Sequence, residues 1–248
     1  MSTESLILSS ILVAIPVFIS YKDKLDLEKE IIFSMIRAIV QLLIVGYLLN
    51  FIFGLEKPIF TIILIIVMVF NAALNTRKKK EIIENQLFIS FISILIGTSI
   101  TLGVLVLSKA IKFIPSEIIP VAGMVVSNSM VALSLAYKNL INSYKNNGTA
   151  VEIKLALGAN IKDASQDIIR ESIKLSIMPS IDSAKTLGIV SLPGMMTGLI
   201  LGGASPLLAV KFQIMVTFMM VSSTSFSVMM ATYLSYKKFF NDRKQIKI

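Results

Sequence analysis

The chain contains no cysteine, no histidine and no tryptophan. Without cysteine there is no disulfide framework, no thiolate nucleophile and no thiol-based reading of the redox compartment. Without histidine, His/Cys zinc sites and imidazole acid–base catalysis are excluded, as is a serine nucleophile paired with a histidine base. Charge is scarce as well. Only 16% of residues are Asp, Glu, Lys or Arg, against about 25% in an ordinary soluble domain. No G-x-x-x-x-G-K-[ST] loop or other glycine-rich phosphate cradle occurs, so the chain carries no ATP-hydrolysing motif and is not expected to be an enzyme.

Apolar residues are what the chain has instead. They make up 55% of its 248 residues, and the mean hydropathy is +0.81. A soluble protein of this length has too little interior to hide that surface, so the composition points to an all-α, polytopic membrane protein. The net charge of +9 would suggest a nucleic-acid partner in a soluble protein. Here it reads as basic cytoplasmic loops, with membrane lipid as the surrounding partner and no nucleic acid.

Seven spans are expected, within a single transmembrane domain covering 1–248. The first is the run 5–20, which has Glu4 and no basic region ahead of it and so reads as a retained helix rather than a signal peptide. The others fall at about 31–53, 58–75, 87–108, 117–137, 186–203 and 207–234. Placing Arg77 to Lys80 in the cytoplasm puts all the Lys and Arg there except Lys57, Lys109, Lys112 and Lys211. The positive-inside rule then sets the N-terminus outside and the C-terminus inside, in the cell membrane (the inner one where a cell has two).

A long cytoplasmic segment, about 138–180, separates spans five and six. Within it Ile161, Ala164, Ile168, Ser172 and Leu175 recur at helical spacing, with Lys162, Asp163, Gln166, Asp167, Arg170 and Glu171 largely opposite. That is an amphipathic helix pair with a bend near Gly158-Ala159-Asn160: Gly158 suits a helix C-terminus and Asn160 an N-cap. Two uses are open. The segment lies flat on the inner leaflet, or it docks a soluble partner through an apolar knob of Leu155, Leu157 and Ala159. Five acidic residues (Glu152, Asp163, Asp167, Glu171 and Asp182) favour docking over a uniformly basic lipid-facing helix. The order Glu152, Ala156, Leu157, Gly158, Ala159, with Gly158 six residues after Glu152, resembles the coupling loop of ABC-transporter permeases. The glycine-to-proline spacing departs from it, because Pro179 lies 21 residues beyond Gly158.

Polar and helix-breaking residues also fall inside apolar runs. Ser127, Asn128 and Ser129, followed by Met130, sit in span five, where they face a wet cavity or glue helices together by hydrogen bonds. Pro193-Gly194 breaks the sixth run near mid-membrane, followed by Met195, Met196 and Thr197. Gly194, Gly198 and Gly202 form a small-residue stripe at spacing four, suited to close helix packing or a homodimer contact. The break is either that seam or part of a transport path. Gln41 in span two, one turn beyond Arg37, is deep enough to join such a path.

Three stretches carry a family likeness: GMVVSNSMVALSLA (123–136), EIKLALGA (152–159) and GIVSLPGMMTGLILGGASPLLAVKFQIMVTFM (188–219). With them the chain resembles the FetB family of iron-export ABC permeases over most of its length. The resemblance implies a membrane subunit working with a separate ATP-binding subunit, so that ATP sits on the partner and no cofactor on this chain. It places family-pattern residues at Asn128, Ser129, Glu152, Gly158, Pro193 to Gly198, Pro206 and Gln213. Ser127 and Leu199 depart from the pattern, where glycine and glutamine are common.

One docking loop per chain implies a homodimer with two ATPase subunits. The alternative is a self-sufficient channel or secondary carrier. Ion-coupled carriers often keep intramembrane carboxylates, and here every Asp and Glu lies in a loop or near a span end.

Overall fold

A computed structural model describes residues 9–55, 58–77 and 83–247. Two compact units result, Met1–Glu56 and Lys57–Ile248. Each is taken by itself.

The first unit is a helical hairpin. A 3₁₀ turn, Ser10–Val13, leads into α1 (Ala14–Lys22), and α2 runs Glu28–Leu55. The reversal between them uses Lys24 and Asp26 at φ 51° and 56°. Buried Ser20 fixes its geometry: its Oγ donates to Glu28 Oε1 at 2.7 Å and accepts from the Leu27 amide at 3.0 Å. Glu28 and Glu30 place negative charge at the positive end of α2. Its apolar stretch, Glu28–Gly54, has the length and composition of a membrane-crossing helix.

The second unit contains α3 (Pro58–Thr76), α4 (Gln86–Leu107), α5 (Pro115–Ala156), α6 (Ile161–Ala164), α7 (Gln166–Thr186), α8 (Gly194–Leu201) and α9 (Pro206–Ser235), closed by a 3₁₀ turn, Tyr236–Phe239. α9 packs on α4, α5 and α7, and α3 packs on α4 and α5. Pro58, Pro115 and Pro206 each stand at a helix start, where the missing N–H costs nothing. One core cluster gathers Val69, Ile94, Leu133, Leu140, Tyr144 and Val228, with Tyr144 stacked on Phe239 at 4.5 Å. A second gathers Leu102, Leu105, Ile118, Val125, Val216 and Met219.

Polar seams tie the helices together. Thr76 Oγ1 lies 2.8 Å from Ser90 Oγ, which lies 2.9 Å from the Tyr137 hydroxyl, and Gln86 Nε2 donates to the Thr76 carbonyl at 2.8 Å. All are buried, joining α3, α4 and α5. About two turns beyond Ser90 on α4, a Cβ on Gly97 would collide with Ser227 Oγ, so glycine sets the closeness of α4 and α9.

Among the described residues, five helices are long and apolar enough to cross a membrane: Glu28–Gly54, Pro58–Thr76, Gln86–Leu107, Pro115–Ala156 and Pro206–Phe239. Two of the seven expected spans read differently. The described part of the first, Ser10–Lys22, is a shorter apolar helix, and residues 5–8 lie outside the described residues. The sixth, 186–203, is not one helix. α7 ends at Thr186, Leu187 is extended (φ −60°, ψ 134°), Gly188 takes φ +81°, and α8 begins only after Pro193. α8 has eight residues, about 12 Å at 1.5 Å per residue, against a hydrocarbon core of about 30 Å.

The border of span five also shifts. The helix runs past the expected end at 137, but α5 is two helical stretches joined by a kink at Asn147 (φ −114°, ψ 15°), next to Gly148. Span five and the first coupling segment thus meet at a bend and not in one straight helix. Lys57 and Lys78 to Lys80, which weighed in the orientation, lie outside the described residues.

Candidate transport cleft and coupling surface

The coupling segment ends α5 in a tight turn. The Gly158 amide donates to Leu155 O and the Ala159 amide to Lys154 O, both at 3.0 Å, with Gly158 at φ +95°. That left-handed angle is open to glycine and strained for side chains. Asn160 then caps α6, its side chain accepting from the Asp163 amide at 2.9 Å.

The expected knob divides. Leu157 stands 83% exposed at the tip, whereas half-buried Leu155 and Ala159 pack inward against the core cluster. Glu152 is exposed one turn earlier on α5. The amphipathic reading of 161–176 holds for Ala164, Ile168 and Ser172, which are buried, and for the charged face opposite, which is exposed. Leu175 is exposed instead, on a groove of about 390 Å³ between α5 and α7. Lys154 Nζ meets Asp167 Oδ2 at 2.7 Å across that groove, and this contact holds the Asp167 carboxyl below its usual range.

A second cleft, of about 210 Å³, lies where α5, the end of α7, the 187–193 turn and α9 converge. Met124 and Asn128 of α5 face Gln213, Thr217 and Met220 of α9 across it, with Leu187, Pro193, Gly194 and Met195 on a third side. Asn128 Nδ2 donates to the Met124 carbonyl at 2.8 Å, and Thr217 Oγ1 donates to the Gln213 carbonyl at 2.8 Å. Gln213 is nine-tenths buried and its Oε1 has no hydrogen-bond partner.

Of the residues expected on a path, Asn128, Pro193, Gly194 and Met195 are brought together. The others are not. Ser127 is exposed, with its Oγ bonded to the Met124 carbonyl at 3.2 Å. Ser129 is fully buried, and half-buried Met130 packs against the core cluster. Met196 and Thr197 do not line the cleft, and the Thr197 hydroxyl donates to the Pro193 carbonyl at 3.1 Å. The geometric reason is helical: neighbours of Asn128 along α5 point about 100° away from it. Gln41 is exposed on α2, in the first unit.

Met124, Thr217 and Met220 were not foreseen as lining residues, and Gln213 was flagged only through the family pattern. The signal was available: Gln213, Thr217 and Met220 lie at i, i+4 and i+7 along one face of α9. Among the described residues, nothing packs tightly against the glycine stripe. A Cβ on Gly194 or Gly198 would have nothing within 4 Å, and one on Gly202 would meet only carbonyls of its own turn. Among the described residues no group of three or more Asp, Glu, His or Cys could hold a metal ion. The cleft's donors are uncharged amides, hydroxyls and thioethers.

Comparison with known proteins adds the family. The sequence profile described as "Uncharacterised protein family (UPF0014)" matches residues 3–240. The chain is 47% identical to the "Probable iron export permease protein FetB" of Escherichia coli (strain K12), covering 100% of this chain and 95% of that protein. It is 38% identical to the "Protein ALUMINUM SENSITIVE 3" of Arabidopsis thaliana, covering 96% and 87%. To the "UPF0014 membrane protein YjkA" of Bacillus subtilis (strain 168) it is 37% identical, covering 98% and 97%. No solved structure matches significantly.

Proposed function

From the premise that the chain belongs to the UPF0014 family, as a multi-pass protein of the cell membrane, we propose that it is the permease subunit of an ABC exporter for iron or another metal. A separate ATP-binding subunit supplies the ATP and its hydrolysis. The observation that carries this reading is that α5 joins the cleft to the tip. Its first stretch bears Asn128 on the cleft, and its second, beyond the kink at Asn147, bears Glu152 beside the exposed Leu157 tip. Their 24-residue separation corresponds to about 36 Å measured along the helical path. An apolar tip on an arm jointed to the cleft helix is what a soluble engine needs in order to move a site it does not touch.

In this account the N-terminus is outside and the C-terminus inside. The end of α7, the 187–193 turn and α8 together make the return crossing between α5 and α9. Its non-helical part is tolerated at depth because it lines the cleft. Two copies assemble, with the open Gly194–Gly198–Gly202 face toward the second copy, and each docks one ATPase subunit at Glu152, Leu155, Leu157, Gly158 and Ala159. ATP-driven closure of the ATPases draws the two tips together. α5 tilts, and the cleft at Asn128 is exposed alternately to the two sides of the membrane.

The test is purification of the tagged protein from its native membrane in mild detergent, with identification of stoichiometric partners. A soluble ATP-binding subunit in equal number is expected. A chain that purifies alone under several mild conditions would overturn the ABC assignment and favour a self-sufficient carrier.

A further inference from the structure

We propose that the cleft between α5 and α9 takes iron in its reduced state, as a partly dehydrated ferrous ion held by the amide oxygens of Asn128 and Gln213 and the thioether sulfurs of Met124, Met195 and Met220. The inference rests on the metal-export reading and fixes what that reading leaves open, the chemical form of the cargo.

The donor set decides it. The Asn128 amide nitrogen is committed to the Met124 carbonyl, which leaves Oδ1 as that side chain's available acceptor. Gln213 is nine-tenths buried with Oε1 unpartnered, a group whose desolvation is compensated only when a donor or a cation arrives. Gln213 lines the cleft, and a half-turn of its terminal amide would exchange Oε1 with Nε2. The Thr217 hydroxyl is spent on the Gln213 backbone carbonyl, so it does not compete. Three methionines and the hydroxyl-bearing Ser180 and Ser183 are the other donor residues of the lining. Every one of these groups is a neutral electron-pair donor. No carboxylate, phenolate, imidazole or thiolate lines the cleft.

A ferric ion is hard and carries three charges. The cost of stripping water from an ion grows with the square of its charge, so a trivalent ion costs roughly twice as much to desolvate as a divalent one of equal size. Anionic oxygen ligands normally offset that cost, and here there are none. Thioethers contribute little to a hard ion and suit softer ones. A ferrous ion needs less compensation and accepts amide oxygen with sulfur. Neutral ligands also hold it weakly, which favours release once the cleft reopens.

The experiment uses the full chain in lipid nanodiscs, dialysed to equilibrium against iron(II) kept reduced with ascorbate or against iron(III) citrate, with retained iron measured against empty discs. Ferrous iron is expected to be retained saturably above empty discs, and ferric iron at background. Gln213→Leu should weaken ferrous binding by about tenfold or more. Gln213→Glu, which adds the missing anion, should raise ferric retention above that of the parent chain, a gain that a merely structural residue would not give. If Gln213→Leu fails to insert, Met220→Leu serves, a volume-conserving change; it should diminish iron–sulfur scattering in the X-ray absorption spectrum.

Ferric iron held as well as ferrous would overturn the proposal and leave the metal reading standing. Ferrous iron held equally by the parent chain, Gln213→Leu and Asn128→Leu would remove this cleft as the site. Retention of neither ion would overturn the metal reading itself.

Discussion

Ser227 Oγ donates to the carbonyl of Ser93 at 3.2 Å, in the space that Gly97 leaves by having no side chain. This contact sets how closely α4 and α9 approach, and α9 carries half of the cleft. Gly97→Ala puts a Cβ against Ser227 Oγ. The expected cost is about 1–3 kcal/mol, typical of overpacking a tight core. Ser227→Ala in the Gly97→Ala background should recover part of it. Thermal unfolding of the four members of this cycle in detergent measures the coupling. Additive effects would mean that the two residues do not share the space.

At the tip, Gly158 sits at φ +95°. Gly158→Val should strain this turn by about 1–3 kcal/mol and misplace Leu157. Leu157→Asp leaves the backbone alone and puts charge where an apolar contact is expected. Both variants should insert normally and lose the ATP-binding subunit in co-purification. Retention of that subunit by Leu157→Asp would remove the tip from the docking surface.

The Lys154–Asp167 pair gives the groove between α5 and α7 a pH dependence. The bond to Lys154 lowers the Asp167 pKa from its ordinary 3.8. For a depressed carboxyl the stabilisation is present above the unfolded-state value and is lost as pH falls through the folded-state value. The chain has no tryptophan, so Leu175→Trp places a sole indole on this groove. Its emission should be steady at neutral pH and shift only below pH about 4, as the carboxylate is protonated. Asp167→Asn should already show the shifted emission at neutral pH.

Asn128→Leu removes an amide from the cleft without touching the tip. Transport should fall to background while the complex stays assembled and its ATPase subunit stays bound. Ser129→Ala is the contrast, because Ser129 is buried away from the cleft. Transport by Ser129→Ala should stay near the parent level in the same vesicle efflux assay.

Much of this molecule was legible in its sequence. The apolar runs marked the five long helices, because a membrane helix is an uninterrupted stretch of side chains compatible with lipid. Gly158 and Asn160 marked the bend, because each does one backbone job there. In the sixth run Pro193-Gly194 marked the break that the structure shows, but hydropathy, which counts apolar residues and not backbone angles, hid the turn at Gly188 and the shortness of α8. The path residues were half legible for another reason. Ser127, Asn128 and Ser129 are equally polar, but a helix turns each to a different neighbour, and only Asn128 meets the cleft. Gln213 needed α5 and α9 side by side before its unpartnered oxygen had a meaning.

The central claim is that the end of α5 is where an ATP-driven engine grips this permease. Because the chain has no cysteine, Leu157→Cys carries a single thiol. The decisive measurement is labelling of that thiol by a water-soluble maleimide, in membranes with and without the co-expressed ATP-binding subunit. The account predicts rapid labelling of the permease alone, protection in the complex, and a cross-link to the ATPase with a short bifunctional reagent. Labelling at the same rate in both membranes, with no cross-link although the two proteins co-purify, would contradict it.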